Sequence, residues 1–437
     1  MKRILNPKFS LSLLFIFATL SVFAQIGDEI DKSYKWNFDL AADGVLELDN
    51  YDCDIIIHTW DKEKAELQLH LLAEMKTNKD AKILDEHLQN LEFDNSPSRV
   101  AFSTRFWKNK KQIVTRKTVT LRKGLTIPYS KLKVKAELWL PESAELRLKS
   151  KYSKIDLAEI NGQLYLNLYN DDLIGKSVAG NMEVEAKYSK IDLDNCKDIV
   201  AELYDCEFTT LETANCNYNS KYSKISSSRA LSLTIESYND KYLIESCGDI
   251  DMVSKYTDLT TREAGKVKID SYEGSYTIAK CQNIEIKAKY TNFLNESAGD
   301  LIITNIYEGS FGSLSINSLS IEESKYVKYK LGSLNKSLSL ENGYEDDFFI
   351  DELGADFSGL DLNGKYINCE AVISDDLKFK VKANIKYPHL DFEKVGLTTK
   401  IKIKESSQLE YEAFKGEDSE SLPLISLSGY EITFKVK

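Results

Sequence analysis

Tyrosines in two regularly spaced series are the residues of this sequence best suited to contact a ligand. The first series recurs every 34–36 residues, mostly within Lys-Tyr-Ser-Lys-Ile or Lys-Tyr-Thr sequences, and the second lies between its members. Aromatic rings stacked at the spacing of a sheet can pack against sugar rings, or they can stabilise the sheet by packing on each other. The candidate ligand-contact residues are Tyr152, Tyr188, Tyr222, Tyr256 and Tyr290 in the first series and Tyr169, Tyr204, Tyr238, Tyr272 and Tyr307 in the second.

Carboxylates also recur with the repeat, as in Asp171-Asp172, Asp192 with Asp194, and Asp346-Asp347. Such residues could bind calcium or form the acid–base pair of a polysaccharide-cleaving enzyme. However, the Gly-Gly-x-Gly-x-Asp pattern of calcium-binding rolls is absent, and the acidic residues are spread along the whole repeat region. This distribution favours a role in solubility, and we predict no catalytic residue and no enzyme activity.

The remaining reactive residues do not form a known motif. Seven cysteines and four histidines occur without a Cys-x-x-Cys pair, and the sequence lacks a Gly-x-Ser-x-Gly motif, a phosphate loop and a dinucleotide fingerprint. Cys247 and Cys281 are 34 residues apart, which indicates a repeated packing position for a small side chain. We predict neither a metal site nor a cofactor, and no disulfide is assigned.

The tyrosines must be positioned by short strands. Met182, Val184 and Ala186 alternate with polar residues before Tyr188, a period of two that predicts a strand with one buried face. Such strands bury their apolar face only by stacking on the next repeat. The prediction is an all-β fold, a right-handed parallel β-solenoid with coils of 16–19 residues. A wider coil of 34–36 residues, with a tyrosine at two corners, is the alternative.

The two tyrosine series differ in their turns. The second lacks the lysine before the tyrosine and gains one residue after it, as in Ser237-Tyr238-Asn239-Asp240. The deletion and the insertion compensate, so the length of the coil is kept while the turn moves by one residue. The sequence therefore predicts two alternating turn designs on one scaffold.

The flanks of the repeats predict the domain boundaries. We expect a signal peptide at 1–24, an N-terminal β-rich cap at 25–145, the solenoid at 146–372 and a C-terminal β cap at 373–437. Gly44–Thr59 reads as an early coil within the first cap, and Ala81, Leu84 and Leu88 predict a short helix near 78–91, capped by Asn78 or Asp80.

The first residues predict export. Basic residues near Met1 precede an apolar run from Leu11 to Phe23 that ends at Ala24, the pattern of a Sec signal peptide. A membrane anchor is the alternative, but the run is shorter than the ~20 residues that span a bilayer. We expect a mature chain without a transmembrane segment, in the periplasm or at the cell surface. The net charge of −12 argues against nucleic acid as a partner.

One basic cluster stands out in this acidic chain. It runs from Arg105 to Lys111 and continues to Lys123. It could contact an anionic glycan or lipid headgroups, and it reads equally as a solvated hairpin with its tip at Asn109.

Residues 40–375 resemble the adhesin domain family of unknown function (the DUF4097 and head-GIN type) of bacterial envelopes. The sequence Glu137-Leu138-Trp139-Leu140-Pro141 followed by Leu146-Arg147-Leu148 is similar to the junction of that family, and Tyr-Ser-Lys or Tyr-Glu-Gly stands at its turn. The resemblance implies a β-solenoid of the cell envelope and carries over no catalytic residues. The tyrosines, and lysine in place of glycine, depart from the family pattern.

These observations lead to one main hypothesis for the function. The chain is expected to be an exported, non-enzymatic β-solenoid that acts as a structural or adhesin-like interaction protein of the envelope. The alternative is a glycan-binding or carbohydrate-active solenoid that uses an aromatic and acidic face. A periplasmic partner of envelope signalling is a third possibility. The partner is left open between a surface glycan and an envelope protein.

Overall fold

A computed structural model describes residues 29–113 and 116–437. The predicted signal peptide at 1–24 lies outside the described residues. The described part is almost entirely β-structure with one helix, α1 (Asn78–Gln89), which confirms the all-β prediction. Thr77 caps this helix, because its Oγ1 accepts a hydrogen bond from the Asp80 backbone N–H at 3.1 Å. The predicted caps, Asn78 and Asp80, are therefore wrong by one and three residues.

The strands follow one another with short connections. Those that precede the regular repeats are β1 (Glu29–Asp39), β2 (Val45–Tyr51), β3 (Asp54–Trp60), β4 (Lys64–Met75), β5 (Asp94–Ser96), β6 (Arg99–Ser103), β7 (Trp107–Ile113), β8 (Arg116–Leu121) and β9 (Thr126–Pro141). Those of the repeats are β10 (Glu145–Lys151), β11 (Lys154–Leu157), β12 (Leu164–Tyr169), β13 (Asp172–Gly175), β14 (Met182–Lys187), β15 (Lys190–Cys196), β16 (Ile199–Tyr204), β17 (Glu207–Lys221), β18 (Lys224–Tyr238), β19 (Lys241–Tyr344), β20 (Asp347–Leu353), β21 (Gly359–Lys365) and β22 (Asn368–Ala371). Those at the C-terminal end are β23 (Phe379–Lys386), β24 (His389–Asp391), β25 (Thr398–Glu405), β26 (Gln408–Lys415), β27 (Leu424–Tyr430) and β28 (Thr433–Val436).

The chain divides into two compact units. The described residues of unit 1 are 29–32, 71–91, 107–113 and 116–133, and unit 2 comprises 33–70, 92–106 and 134–437. In unit 1, β7 pairs antiparallel with β8, and β8 pairs antiparallel with the start of β9. Asn109 lies inside β7 and pairs with Thr120, so the hairpin tip predicted at Asn109 is wrong. The pairing continues beyond Asn109 as far as Ile113, which lies opposite Arg116.

Unit 2 is a stack of parallel strand pairs. Leu146 pairs with Leu164, Leu164 with Met182, and Met182 with Ile199, so each residue lies beside one that is 17 or 18 positions farther along. The second strand of each pair keeps the same register, as Ile155 pairs with Leu173. These apolar side chains point inward and are buried, while the alternating polar ones are exposed. We call each strand pair with its corner a rung.

One residue with positive φ turns the chain at most of these corners, and it is rarely glycine. In β19 the extended backbone pairing continues through several of these corners, including Tyr256 and Tyr290, and the strand runs for 104 residues. Left-handed backbone is unfavourable for residues with a Cβ, so something else must stabilise the corner. The non-glycine residues with positive φ are Asp52, Tyr152, Asn170, Tyr188, Asp205, Tyr222, Asn239, Tyr256, Glu273, Tyr290, Glu308, Tyr326, Glu345, Tyr366, Tyr387, Ser406 and Glu431.

The order of rungs departs from the order of the sequence at both ends of unit 2. At the start, β2 and β3 stack on β10 and β11, although about a hundred residues separate them. At the end, β27 pairs with β21 on one side and with β23 on the other. The strand β27 therefore lies between two rungs whose residues precede it in the sequence. Beyond β23, the antiparallel strands β26 and β25 cover the stack.

Candidate functional site

Sixteen tyrosines form one continuous ladder along a corner of unit 2. Neighbouring ring centroids are 5.3–5.8 Å apart, and the ring planes are inclined by 71–88°, the edge-to-face arrangement that aromatic pairs favour. In spatial order, the ladder contains Tyr51, Tyr152, Tyr169, Tyr188, Tyr204, Tyr222, Tyr238, Tyr256, Tyr272, Tyr290, Tyr307, Tyr326, Tyr344, Tyr366, Tyr430 and Tyr387. We call this set the tyrosine ladder.

The two tyrosine series occupy different backbone positions on alternating rungs. In the first series the tyrosine itself has positive φ, as Tyr188 does at 56°. In the second series the next residue has positive φ, as Asn170 does at 55° after Tyr169. Strand pairing accordingly aligns Tyr169 with Lys187, the residue before Tyr188. This one-residue shift accounts for the perpendicular rings, since successive phenols leave the backbone from different positions.

All ten tyrosines proposed as ligand contacts lie in this ladder. The ladder also contains Tyr326 and Tyr344, which continue the two series, and Tyr51, which lies in the early coil predicted at Gly44–Thr59. The structure adds Tyr366, Tyr387 and Tyr430. Tyr366 and Tyr387 follow lysine, as in the first series, and this dipeptide is the signal that could have identified them. The regular spacing of the tyrosines ends after Tyr344, because longer segments of chain separate the rungs there.

Cations lie over ring faces at several points along the ladder. The Arg105 guanidinium is 4.8 Å from the ring centroid of Tyr51, and Lys325 Nζ is 4.9 Å from those of Tyr326 and Tyr344. Contacts of this kind stabilise by about 0.5–1 kcal/mol at exposed sites. The basic residues thus help to hold the ladder in place.

Buried carboxylates lie directly beneath the ladder. Asp240 accepts hydrogen bonds from the backbone N–H groups of Ser223 at 2.6 Å and Tyr238 at 3.1 Å. It also accepts from the hydroxyls of Ser220 and Ser237, each at 2.7 Å. The carboxylate therefore joins two consecutive corners and satisfies donors that the turn would otherwise leave unpaired.

Asp171 and Asp346 occupy the equivalent position on other second-series rungs. Asp171 accepts from the backbone N–H groups of Ser153 at 2.8 Å and Tyr169 at 2.9 Å. Asp346 accepts from those of Val327 at 2.9 Å and Tyr344 at 3.2 Å. Removal from water outweighs these hydrogen bonds and raises the pKa of each carboxyl to about 6.

These raised pKa values predict a pH-dependent stability. The folded state takes up protons near pH 6 and the unfolded state near pH 4, so the folded state binds more protons between these values. Stability from these groups is therefore greatest at low pH and falls as pH rises through 6. Relative to the variant Asp171→Asn/Asp346→Asn, we expect the wild type to lose about 1 kcal/mol per carboxyl between pH 5 and 7.5. Urea unfolding at both pH values measures this, and a constant difference would contradict it.

The ladder should contribute to stability through ring contacts that offset backbone strain. Tyr222 contacts Tyr204 and Tyr238, each at 5.6 Å, and its φ is 57°. We expect Tyr222→Ala to cost about 2 kcal/mol, because it removes two aromatic pairs and keeps the strain. Tyr222→Gly should cost about 1 kcal/mol less, since glycine adopts positive φ freely. Urea unfolding of the two variants tests this, and equal losses would show that the backbone is not strained.

A groove runs beside the first-series rings. Its volume is about 1040 Å³, and its floor is formed by the buried serine, aspartate and cysteine residues that follow the tyrosines. Its far wall is one column of charged residues whose sign mostly alternates from rung to rung: Asp54, Lys154, Asp172, Lys190, Glu207, Lys224, Lys241 and Asp258. Glu207 lies 3.8 Å from Lys190 and 3.1 Å from Lys224, so these three residues of the column form ion pairs.

Two of the three carboxylate pairs considered as acid–base or calcium groups are divided between the interior and the surface. Asp171 lies at the corner and is buried beneath the ladder, whereas Asp172 begins β13 and lies in the groove wall. Asp346 and Asp347 are separated in the same way, and Asp192 and Asp194 are exposed. Across residues 29–113 and 116–437, no three His, Cys, Asp or Glu side chains are grouped to hold a metal ion.

All seven cysteines are free thiols in the described residues, and six of them are buried. Cys196 pairs with Thr213, Thr213 with Ala230, and Ala230 with Cys247, so small side chains share one inward column. Burial raises the pKa of the Cys247 thiol to about 12. These thiols pack in the core of the stack.

Comparisons with known proteins add little to this description. No protein-family model matches the chain, and no curated protein matches it significantly. A solved structure described as a "putative cell adhesion protein" from Clostridium sporogenes aligns with 9% identity, over 93% of this chain and 100% of that chain, with a TM-score of 0.15. An alignment at that TM-score does not establish a common fold. Within the described part of the chain, no helix has the length and apolarity to cross a membrane.

Proposed function

We propose that this protein is an exported, non-enzymatic β-solenoid that serves as an adhesin-like interaction protein of a bacterial envelope. Under this proposal the stack is right-handed, its coils are 16–19 residues long, and its family is the envelope adhesin domain family that the sequence resembles. The observation that carries the proposal is the tyrosine ladder, a single exposed surface that repeats along unit 2. Exposed tyrosine supplies apolar contact area and a hydrogen-bonding hydroxyl, the combination enriched at interfaces.

The distribution of carboxylates supports a binding role over a catalytic one. A glycoside-cleaving site needs two unlike carboxyl groups at a defined separation. Here the buried carboxylates occupy equivalent positions on separate rungs, and each is held by the same kind of backbone donors. Their arrangement repeats with the fold, as expected for groups that hold the corners together.

A second candidate is a glycan-binding or carbohydrate-active solenoid. The specific observation that favours it is the groove, where half-exposed first-series tyrosines face a wall that includes Asp172 and Glu207. Glycan binding is compatible with the main proposal, whereas carbohydrate cleavage would replace it. Release of reducing sugars from polysaccharides by the purified protein would identify the enzyme.

Protease treatment of intact and permeabilised cells tests the location. Cleavage on intact cells is the result expected for a surface adhesin. Protection until the outer membrane is permeabilised would exclude surface adhesion and leave a periplasmic interaction protein. Protection until the inner membrane is broken would show that the protein is not exported and would overturn the proposal. A periplasmic and a cytoplasmic marker protein serve as controls for membrane integrity.

A further inference from the structure

The groove beside the tyrosine ladder has the periodicity and chemistry of a site for an extended polymer. We propose that it binds a linear, uncharged β-1,4-linked polysaccharide, with one disaccharide for every two rungs. This inference rests on the proposed function and names the ligand class of its interaction surface. The groove is lined by Tyr152, Tyr188, Tyr222 and Tyr256, and an adjoining groove of about 710 Å³ extends it to Tyr290.

The chemical repeat of the groove is two rungs. Rungs with a first-series tyrosine alternate with rungs that place Asn170, Asp205 or Asn239 at the same corner. At the usual strand spacing, two rungs correspond to about 9.6 Å. An extended β-1,4-linked chain rotates each sugar relative to the last, so like faces recur once per disaccharide, a length close to two rungs.

Each repeat supplies the groups that a sugar chain requires. Tyr188 and Tyr222 are each 46% exposed, so part of each ring is available to pack against a sugar ring. The exposed side chains of Asn170 and Asn239 can both donate and accept hydrogen bonds. These groups face sugar hydroxyls, which also donate and accept.

The charge of the groove favours an uncharged chain. The lysines of the wall are matched by Asp54, Asp172, Glu207 and Asp258, and Asp205 adds a further negative charge. A polyanion would meet these carboxylates on alternate rungs, and a polycation would meet the lysines. A neutral chain avoids like-charge repulsion from both the carboxylates and the lysines.

The ladder is poorly suited to a peptide. A β-strand repeats its side chains every two residues, about 6.6 Å, which does not match two rungs. A polyproline II helix has a turn of about 9.3 Å and docks between separated aromatic rings. Here neighbouring rings are about 5.5 Å apart at their centroids and pack edge to face, so they are not separated into the slots that such a helix enters.

Calorimetric titration of the full chain with β-1,4-linked oligosaccharides tests the proposal. The probes are cello-oligosaccharides and fully N-acetylated chito-oligosaccharides of two, four and six sugars, with hyaluronan as the polyanion and a decaproline peptide as the polyproline helix. We expect affinity to rise with each added disaccharide and both other polymers to bind at least tenfold more weakly. Tyr188→Ala should weaken hexasaccharide binding at least tenfold, whereas Tyr165→Ala, outside the groove, should leave it unchanged.

A variant in the groove wall keeps the test valid if Tyr188→Ala fails to fold. Lys190→Ala changes an exposed groove residue and leaves the tyrosine rings in place. We expect it to lower the affinity for the hexasaccharide at least threefold and to leave the circular dichroism spectrum unchanged. Failure of every neutral oligosaccharide to bind, binding that ignores Tyr188 and Lys190, or preferential binding of hyaluronan or decaproline would each overturn the proposal. None of these results bears on export, which the protease experiment decides separately.

Discussion

Replacing Asp240 with alanine is expected to destabilise unit 2 by about 3 kcal/mol or more. The change removes the acceptor for two backbone N–H groups and two serine hydroxyls beneath the ladder. Buried donors left without a partner cost about 1–3 kcal/mol each, and the serine hydroxyls can turn to other acceptors while the backbone cannot. Urea unfolding measures the loss, and hydrogen exchange should show reduced protection at the corners of Ser223 and Tyr238.

Asp258→Ala is the matched control for this prediction. Asp258 lies on the next rung, in the groove wall, and its side chain is exposed. We expect its removal to change stability by less than about 0.5 kcal/mol. If Asp240→Ala and Asp258→Ala cost the same, the buried carboxylates do not hold the corners together.

Gly248→Ala should also be strongly destabilising, by about 3 kcal/mol. An alanine Cβ at this position would lie 2.1 Å from the backbone carbonyl oxygen of Leu231 on the neighbouring rung. Backbone atoms cannot move aside as a side-chain end can, so the two rungs would have to separate and weaken their pairing. Hydrogen exchange across residues 231–265 should locate the loss, and thermal unfolding should show its size.

Gly312→Ala provides the comparison. Its Cβ would lie 3.3 Å from Leu294 Cδ1, a flexible side-chain atom, so the neighbour can give way. We expect the free energy of unfolding to stay within about 1 kcal/mol of the wild-type value. Alanine also reduces the conformational freedom of the unfolded chain, which contributes a small stabilisation. A loss at Gly312→Ala as large as that at Gly248→Ala would show that glycine is needed for backbone freedom and not for close approach.

Much of the ladder could be predicted from the sequence. The Lys-Tyr-Ser motif and the alternation around Tyr188 are local signals, because strand periodicity and turn chemistry depend on residues close in the chain. The same holds for the shift between the two turn designs, which was read from the residue that follows Tyr238. The ten candidate tyrosines therefore lie where the repeat placed them.

The roles of the acidic residues were harder to predict. Asp171-Asp172 reads as a pair, yet one carboxyl is buried under the ladder and the other lies in the groove wall. Which of two adjacent strand residues points inward depends on register, and at a corner the register depends on which residue adopts positive φ. The buried column becomes visible only when successive rungs are stacked.

By itself, the sequence determined the β-structure, the two-rung chemical period and most of the tyrosines, because these depend on local patterns that every repeat restates. Only the tertiary structure decided that both tyrosine series form one ladder, that β27 inserts between rungs made earlier, and that Glu207 pairs with lysines on both neighbouring rungs. These features join residues from different rungs, and parallel pairing between distant segments is set by burial and backbone hydrogen bonds. The groove exists only where those pairings bring the rungs together.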